Sequence, residues 1–393
     1  MTNKKTIQAI DKFIVILFFI SITIILYNSS RAQSSHSDRT VASIYILFFP
    51  FGVAFLQLLR TITVIGRCKA DALCRSWIYI FIYYLFTLFI DYSSRLKGIS
   101  YNIAWSIICP PVAWWYFSSF FKIYPSLKDT IISLSFWFLL VFSFISLYFI
   151  PRSLLDNGNF ASLNTGYYVL CLYPLALLNS NKIKKIVATV LMFIVVLLSM
   201  KRGGYVAMGL AVLIYFLFSS TFGFFKKLLI VGVVVGALFY IIPIVDELTN
   251  GTMKARYEFS QNRGDEEGRI DMFPKVWGAV WDSSIPEIMV GHGHNAVASD
   301  KIVAGNSAHN DYLEFLYDYG IIGFSLLLFY QWNLLLITIR AYKKGDNLFA
   351  TIFAFSIVLV LSMVSILYSF YYFLIIIPFW CILNRKDNKV IGI

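Results

Sequence analysis

Residues 130–150 read TIISLSFWFLLVFSFISLYFI, an apolar run with no charged side chain anywhere in it. A helix crossing a bilayer needs roughly 17–25 predominantly apolar residues, and this run meets that length. Working outward in both directions gives about twelve such runs, at 11–27, 41–59, 77–92, 100–121, 130–150, 165–180, 183–200, 203–222, 228–245, 315–338, 347–366 and 368–384. The chain of 393 residues is 59% hydrophobic and 14% charged, with a mean hydropathy of +0.73. Soluble domains hold about 45–50% and 25%, so a soluble fold could not cover this much apolar surface. Apolar runs of this length satisfy their backbone in lipid as helices. An all-α polytopic transmembrane bundle is expected.

Thirty-three basic against 21 acidic residues give a net charge of +12. Nucleic-acid binding would gather those charges on a soluble module. Here they lie in short patches between apolar runs, as topology signals do. With Lys4, Lys5 and Lys12 cytoplasmic, 20 basic residues fall on that side and only seven in the short outer loops. Both termini are therefore expected in the cytoplasm. Five cysteines form neither a disulfide framework nor a Cys-rich metal site. The first run has no small-residue cleavage site and reads as a first span.

One outer segment stands apart. Residues 246–310 are polar and carry ten acidic and six basic residues; a connection this long is usually functional or disordered. The chain thus divides into spans one to nine (1–245), a large periplasmic loop with short helices (246–310) and spans ten to twelve (311–393). Within the loop Ile270, Phe273, Trp277 and Val280 recur at helical spacing, with Trp281 beside them. They fit an amphipathic helix on the membrane surface, or a lid packed on the bundle.

The spans are nearly empty of ionisable groups; Asp11 and Asp91 fall near span ends, where water is expected to reach them. Buried charges mark ion pathways, so their scarcity counts against an ion-coupled transporter and moves the chemistry to the outer face. There Gly291-His292-Gly293-His294-Asn295 and Ser307-Ala308-His309-Asn310-Asp311-Tyr312-Leu313-Glu314 hold three of the four histidines. Ser307 or Asn310 suits the N-cap of span ten. That end would favour phosphate through its dipole and free N–H groups, and a neutral His309 could take a proton from a hydroxyl; the plainer reading is that His309 only braces the loop. Lys201-Arg202-Gly203-Gly204 makes a tight outer turn whose guanidinium suits bidentate phosphate contact or a lipid headgroup. Arg269 begins the loop helix, where Glu266 and Glu267 offer it a local salt bridge instead. His292, His294 and His309 would make a three-histidine zinc site, but His-x-His arises readily by chance and no fourth ligand is evident. No metal is expected.

In order, Arg202-Gly203 opening an outer turn, Arg269 with Trp277 downstream, Pro286 before Gly291-x-Gly293, and His309-Asn310 followed by Gly320 and Gly323 resemble the O-antigen polymerase/O-antigen ligase superfamily. The likeness spans roughly residues 185–330. It implies a GT-C-like fold and a bacterial inner-membrane glycosyltransferase acting on the periplasmic face, without metal or other cofactor. The donor would be an undecaprenyl-diphosphate-linked glycan, and a chain-length regulator would be a conceivable partner. By motif position Arg202 and Arg269 would hold the diphosphate and His309 would assist the attacking hydroxyl. Lys201, His294, Asn310, Tyr312 and Glu314 are expected to contact substrate. Lys201-Arg202-Gly203 and the run from Ser307 to Gly323 are more similar to polymerases, which extend one lipid-linked glycan with another. A ligase, which transfers the glycan to lipid A-core, is the alternative; a lipid-linked glycan flippase is the second.

Overall fold

The computed structural model describes residues 2–34, 42–65, 70–90, 101–157, 164–199, 201–218, 269–303, 308–345, 347–364 and 372–384, with a few positions between 223 and 251. The side chains of Arg202 and Arg269 lie outside that description, as do span 228–245 for the most part, residues 252–268, Asp91 and Cys68.

Every regular element among the described residues is an α-helix. They run α1 (Thr2–Ser34), α2 (Ala42–Ile65), α3 (Ala72–Ile90), α4 (Tyr101–Ile123), α5 (Ser126–Asn157), α6 (Thr165–Ala176), α7 (Lys182–Leu198), α8 (Arg202–Phe218), α9 (Arg269–Trp281), α10 (Ile285–Val290), α11 (Ala296–Ser299), α12 (Asp311–Lys344), α13 (Leu348–Val364) and α14 (Tyr372–Leu383). By length and composition Gln8–Arg31, Ser126–Ile150 and Asp311–Lys344 can each cross a membrane, and five shorter apolar helices accompany them. α6 is apolar nearly all round and wholly buried, which places it inside the bundle against α5, α7 and α14. The outward faces remain apolar, with Phe144, Phe55 and Ile82 each more than half exposed. Such a surface suits lipid rather than water.

Contacts between helices test the alternating topology. Tyr215 of α8 meets Phe349 of α13, Phe218 meets Tyr342 of α12, and Asn333 of α12 donates to Ser76 of α3 at 3.1 Å. These residues all belong to one end of the bundle if successive helices alternate. At the other end Tyr167 and Tyr168 of α6 pack edge-on against Tyr372 of α14. Between them Trp77 of α3 stacks on Phe373 of α14 at 4.6 Å, both rings meeting Tyr330 of α12.

Asp11 departs from expectation. It is fully buried rather than wetted, and Arg60 of α2 donates to it from Nε at 2.8 Å and Nη2 at 3.3 Å. The guanidinium also lies 6.0 Å from the Phe120 ring of α4. A carboxylate this close to a predicted span end avoids water because a partner helix delivers its counter-charge. Removing one member of a buried pair typically costs about 3–5 kcal/mol. Asp11→Ala should therefore lower the thermal midpoint of the detergent-solubilised protein, and Asp11→Ala/Arg60→Leu should recover most of the loss. Equal midpoints for parent and single variant would show the pair to be idle.

Candidate functional site

The expected tenth span is not one straight helix. Gly320 interrupts α12 with φ 63° and ψ −171°, a backbone open to glycine and strained for other residues. A straight helix would part Tyr312 from Gln331 by about 28 Å at 1.5 Å per residue. Instead the Tyr312 hydroxyl donates to Gln331 Oε1 at 3.1 Å, and its ring centroid lies 6.5 Å from that of Phe324. The first segment, 311–319, thus folds back along the second, 321–344.

Such a bend strands backbone groups that lipid cannot satisfy. The preceding loop supplies the partners: His292 N–H donates to the Tyr317 carbonyl at 3.0 Å and Gly293 N–H to that of Asp318 at 2.7 Å. The backbones meet so closely that a Cβ on Gly291 would sit 2.5 Å from Gly320 N, and one on Gly320 would sit 2.5 Å from the Met289 carbonyl. Val290 is tied in turn to α3, whose Tyr83 hydroxyl donates to its carbonyl at 3.0 Å. The Asp318 carboxylate accepts from Asn295 N–H at 2.7 Å and Val297 N–H at 3.2 Å, holding the start of α11. Sequence reasoning missed Asp318; an acidic residue inside an apolar run was its one signal.

The histidines of the loop serve this joint. The His292 ring stacks on Tyr317 at 4.2 Å, with Nε2 2.8 Å from Ser283 Oγ and Nδ1 3.9 Å from Glu287. His294 lies between Tyr84 and Tyr319, with Nδ1 hydrogen-bonded to the Tyr319 hydroxyl. Burial lowers its pKa to about 3 and keeps the imidazole neutral. The two rings face different partners, and among the described residues no three His, Cys, Asp or Glu side chains gather as a metal site. α9 packs inward through Val276 and Val280 against Leu316 and Tyr317, while Trp277 and Trp281 point outward. It is a packed lid that also shows two indoles to its surroundings.

Around His309 the chain is held on both sides. Asn310 is the N-cap, its Oδ1 accepting from Tyr312 and Leu313 N–H at 3.0 and 3.2 Å. Those donors are consequently spent on the cap rather than open to phosphate. Glu314 reaches back to the Ala308 N–H at 2.7 Å, and the Ala308 methyl is buried under α9 and α12. His309 itself is solvent-exposed at φ 50°. Glu314, Tyr312 and His294, expected at substrate, each have an internal hydrogen bond that shapes the site.

At the start of α8, Gly204 approaches Val196, the Tyr205 hydroxyl donates to the Leu197 carbonyl at 2.6 Å, and Lys201 Nζ lies 6.0 Å from the Tyr167 ring. α8 packs along α13. Counted from the Tyr215–Phe349 contact, Arg202 and Ser362 both lie roughly 20 Å further along, at about 1.5 Å per residue. Tyr312 lies beside that same Ser362. The backbones opening α8 and α12 therefore share one level against the end of α13. Arg269 opens α9, two turns before Val276; no contact among the described residues joins it to either.

Residues 187–328 match the Wzy_C family model, described as O-antigen ligase. Over this stretch the chain is similar to the O-antigen polymerase and ligase superfamily. The matched stretch opens inside α7, takes in α8 to α11 and ends just past the bend of α12. Lys201, Arg202, Arg269, His294, His309, Asn310, Tyr312 and Glu314 all fall within it, while Tyr83, Tyr84, Gln331 and Ser362 pack against it from outside. No curated protein matches the chain.

Gly320→Ala should strain the bend and collide with Met289, giving faster proteolysis between 269 and 303. Gly278→Ala, with no atom within 4 Å of the added Cβ, should cleave like the parent. Equal rates for Gly320→Ala and parent would refute the joint. His294 makes a pH prediction. Its folded pKa is depressed, so below about 6.5 the unfolded chain binds a proton that the folded one refuses. Its stabilising contribution is complete above that pH and declines as pH falls toward 3. The midpoint should drop less between pH 7 and pH 5 in His294→Gln than in the parent.

Proposed function

We propose that the protein is an inner-membrane glycosyltransferase that polymerises undecaprenyl-diphosphate-linked oligosaccharide repeat units on the periplasmic face. The observation that carries this reading is the fold-back of α12, which brings His309 to the level at which α8 begins with Arg202. A lipid-linked donor keeps its diphosphate near the membrane boundary, and basic groups must meet it there.

The acceptor hydroxyl attacks the anomeric carbon of the donor glycan. A new carbon–oxygen bond forms as the bond from that carbon to the diphosphate oxygen breaks, and the electron pair leaves with the diphosphate. His309 takes the hydroxyl proton; general-base assistance of this kind contributes about 10²–10⁴-fold. Arg202 and Arg269 balance the charge growing on the leaving oxygens. Asn310 and Glu314 hold His309 in a conformation that a flexible loop would seldom visit, while Tyr312 and Lys201 line the approach. The basic-residue count supports cytoplasmic termini and an outward-facing site.

The family description favours a second reading, in which the same chemistry transfers the glycan to lipid A-core. A deletion strain separates the two on a lipopolysaccharide gel: core bearing a single repeat unit marks a polymerase, bare core with accumulated lipid-linked polymer a ligase. For the site itself, His309→Ala and Arg202→Ala proteins should insert at parental levels yet lose long glycan, with turnover down by about 10²-fold or more. Parental chain lengths from both variants would overturn the assignment.

A further inference from the structure

A cavity of about 690 Å³ opens at the end of the bundle opposite His309. It lies among the end of α8, the turn from α12 to α13 and the start of α7, lined by Lys185, Tyr215, Phe218, Tyr342, Lys343 and Phe349 among others. Its walls are braced by edge-on ring pairs, Tyr215 on Phe349 at 5.1 Å and Phe218 on Tyr342 at 5.9 Å. These pairs tie α8 to α13 and to α12, so the space is built into the packing of three helices.

The lysines of this end do not share one role. Lys184 Nζ lies over the Phe136 and Trp137 rings at 5.4 and 5.7 Å, which accounts for its charge locally. Lys185 and Lys343 instead face the cavity, and among the described residues no carboxylate comes within ion-pair distance of either. Asp346 of the same turn is outside the described residues. Two ammonium groups on one cavity repel each other until an anion enters. Beside them Leu217, Phe218 and Ile186 present more than half their surface outward, continuing the apolar exterior of the bundle. A site with cationic groups at one edge and exposed apolar side chains at the other matches an amphiphile with an anionic head.

We propose that this cavity binds the phosphate of an anionic glycerophospholipid, between Lys185 and Lys343, with the acyl chains lying along Leu217 and Phe218. The inference is independent of the catalytic reading.

The test is lipid retention by the full-length protein in neutral detergent, titrated with phosphatidylglycerol or phosphatidylcholine and read by native mass spectrometry. Phosphatidylglycerol should be retained preferentially. Each juxtamembrane lysine contributes about fivefold to anionic-lipid binding, so Lys185→Gln/Lys343→Gln should weaken retention roughly 25-fold. Both side chains are partly or fully exposed, which leaves folding intact, and Lys184→Gln should bind like the parent. Equal retention of the two lipids, or undiminished phosphatidylglycerol binding by the double variant, would overturn the site. A parallel arm uses inorganic phosphate and thermal stability: protection matching that of the lipid, and lost in the double variant, would assign a free phosphate and reject the lipid.

Discussion

Two stretches of backbone touching at Gly291 and Gly320 hold the His309 end of this protein in shape. The contact is possible because neither residue carries a Cβ, and it is required because a membrane helix that bends must find partners for the carbonyls it releases. His292 and Gly293 provide them. Once that seam closes, the segment from Asp311 to Tyr319 is committed to lie against α3 and its own continuation. Ala308, His309 and Asn310 follow because they are its leading end.

The same seam explains why so many polar residues near the site have structural duties. Asp318 orders α11, His292 wedges between Tyr317 and Ser283, and Glu314 restrains the backbone just before His309. Each removes a degree of freedom from a stretch that would otherwise be loop. The proposed transfer reaction would gain from this, because orientation of the reacting groups is among the larger contributions to rate.

Much of the architecture was legible in the sequence. Charge-free runs such as 130–150 and 372–383 became buried or lipid-facing helices, and Asn310 was identifiable as a cap from its side chain and its place before an apolar run. The glycines at 291, 293, 320 and 323 were visible as a pattern, but their spacing carries no φ value, so the bend they permit was hidden inside what hydropathy reads as one span. Asp318 was hidden for the same reason: its partners are backbone N–H groups, which have no signature in side-chain identity. Val276 and Val280 show the limit of periodicity, since a helical stripe reveals that a face will be buried without saying whether lipid or protein covers it.

The Asp11–Arg60 pair bears on how the chain enters its bilayer. One charge sits on α1 and its counterpart on α2, joined near the same end of the bundle. Hydrocarbon penalises either helix on its own more heavily than the two together. The physical economy of biogenesis therefore favours handing both segments to the lipid as a hairpin, with the remaining helices assembling on a pair already locked in register.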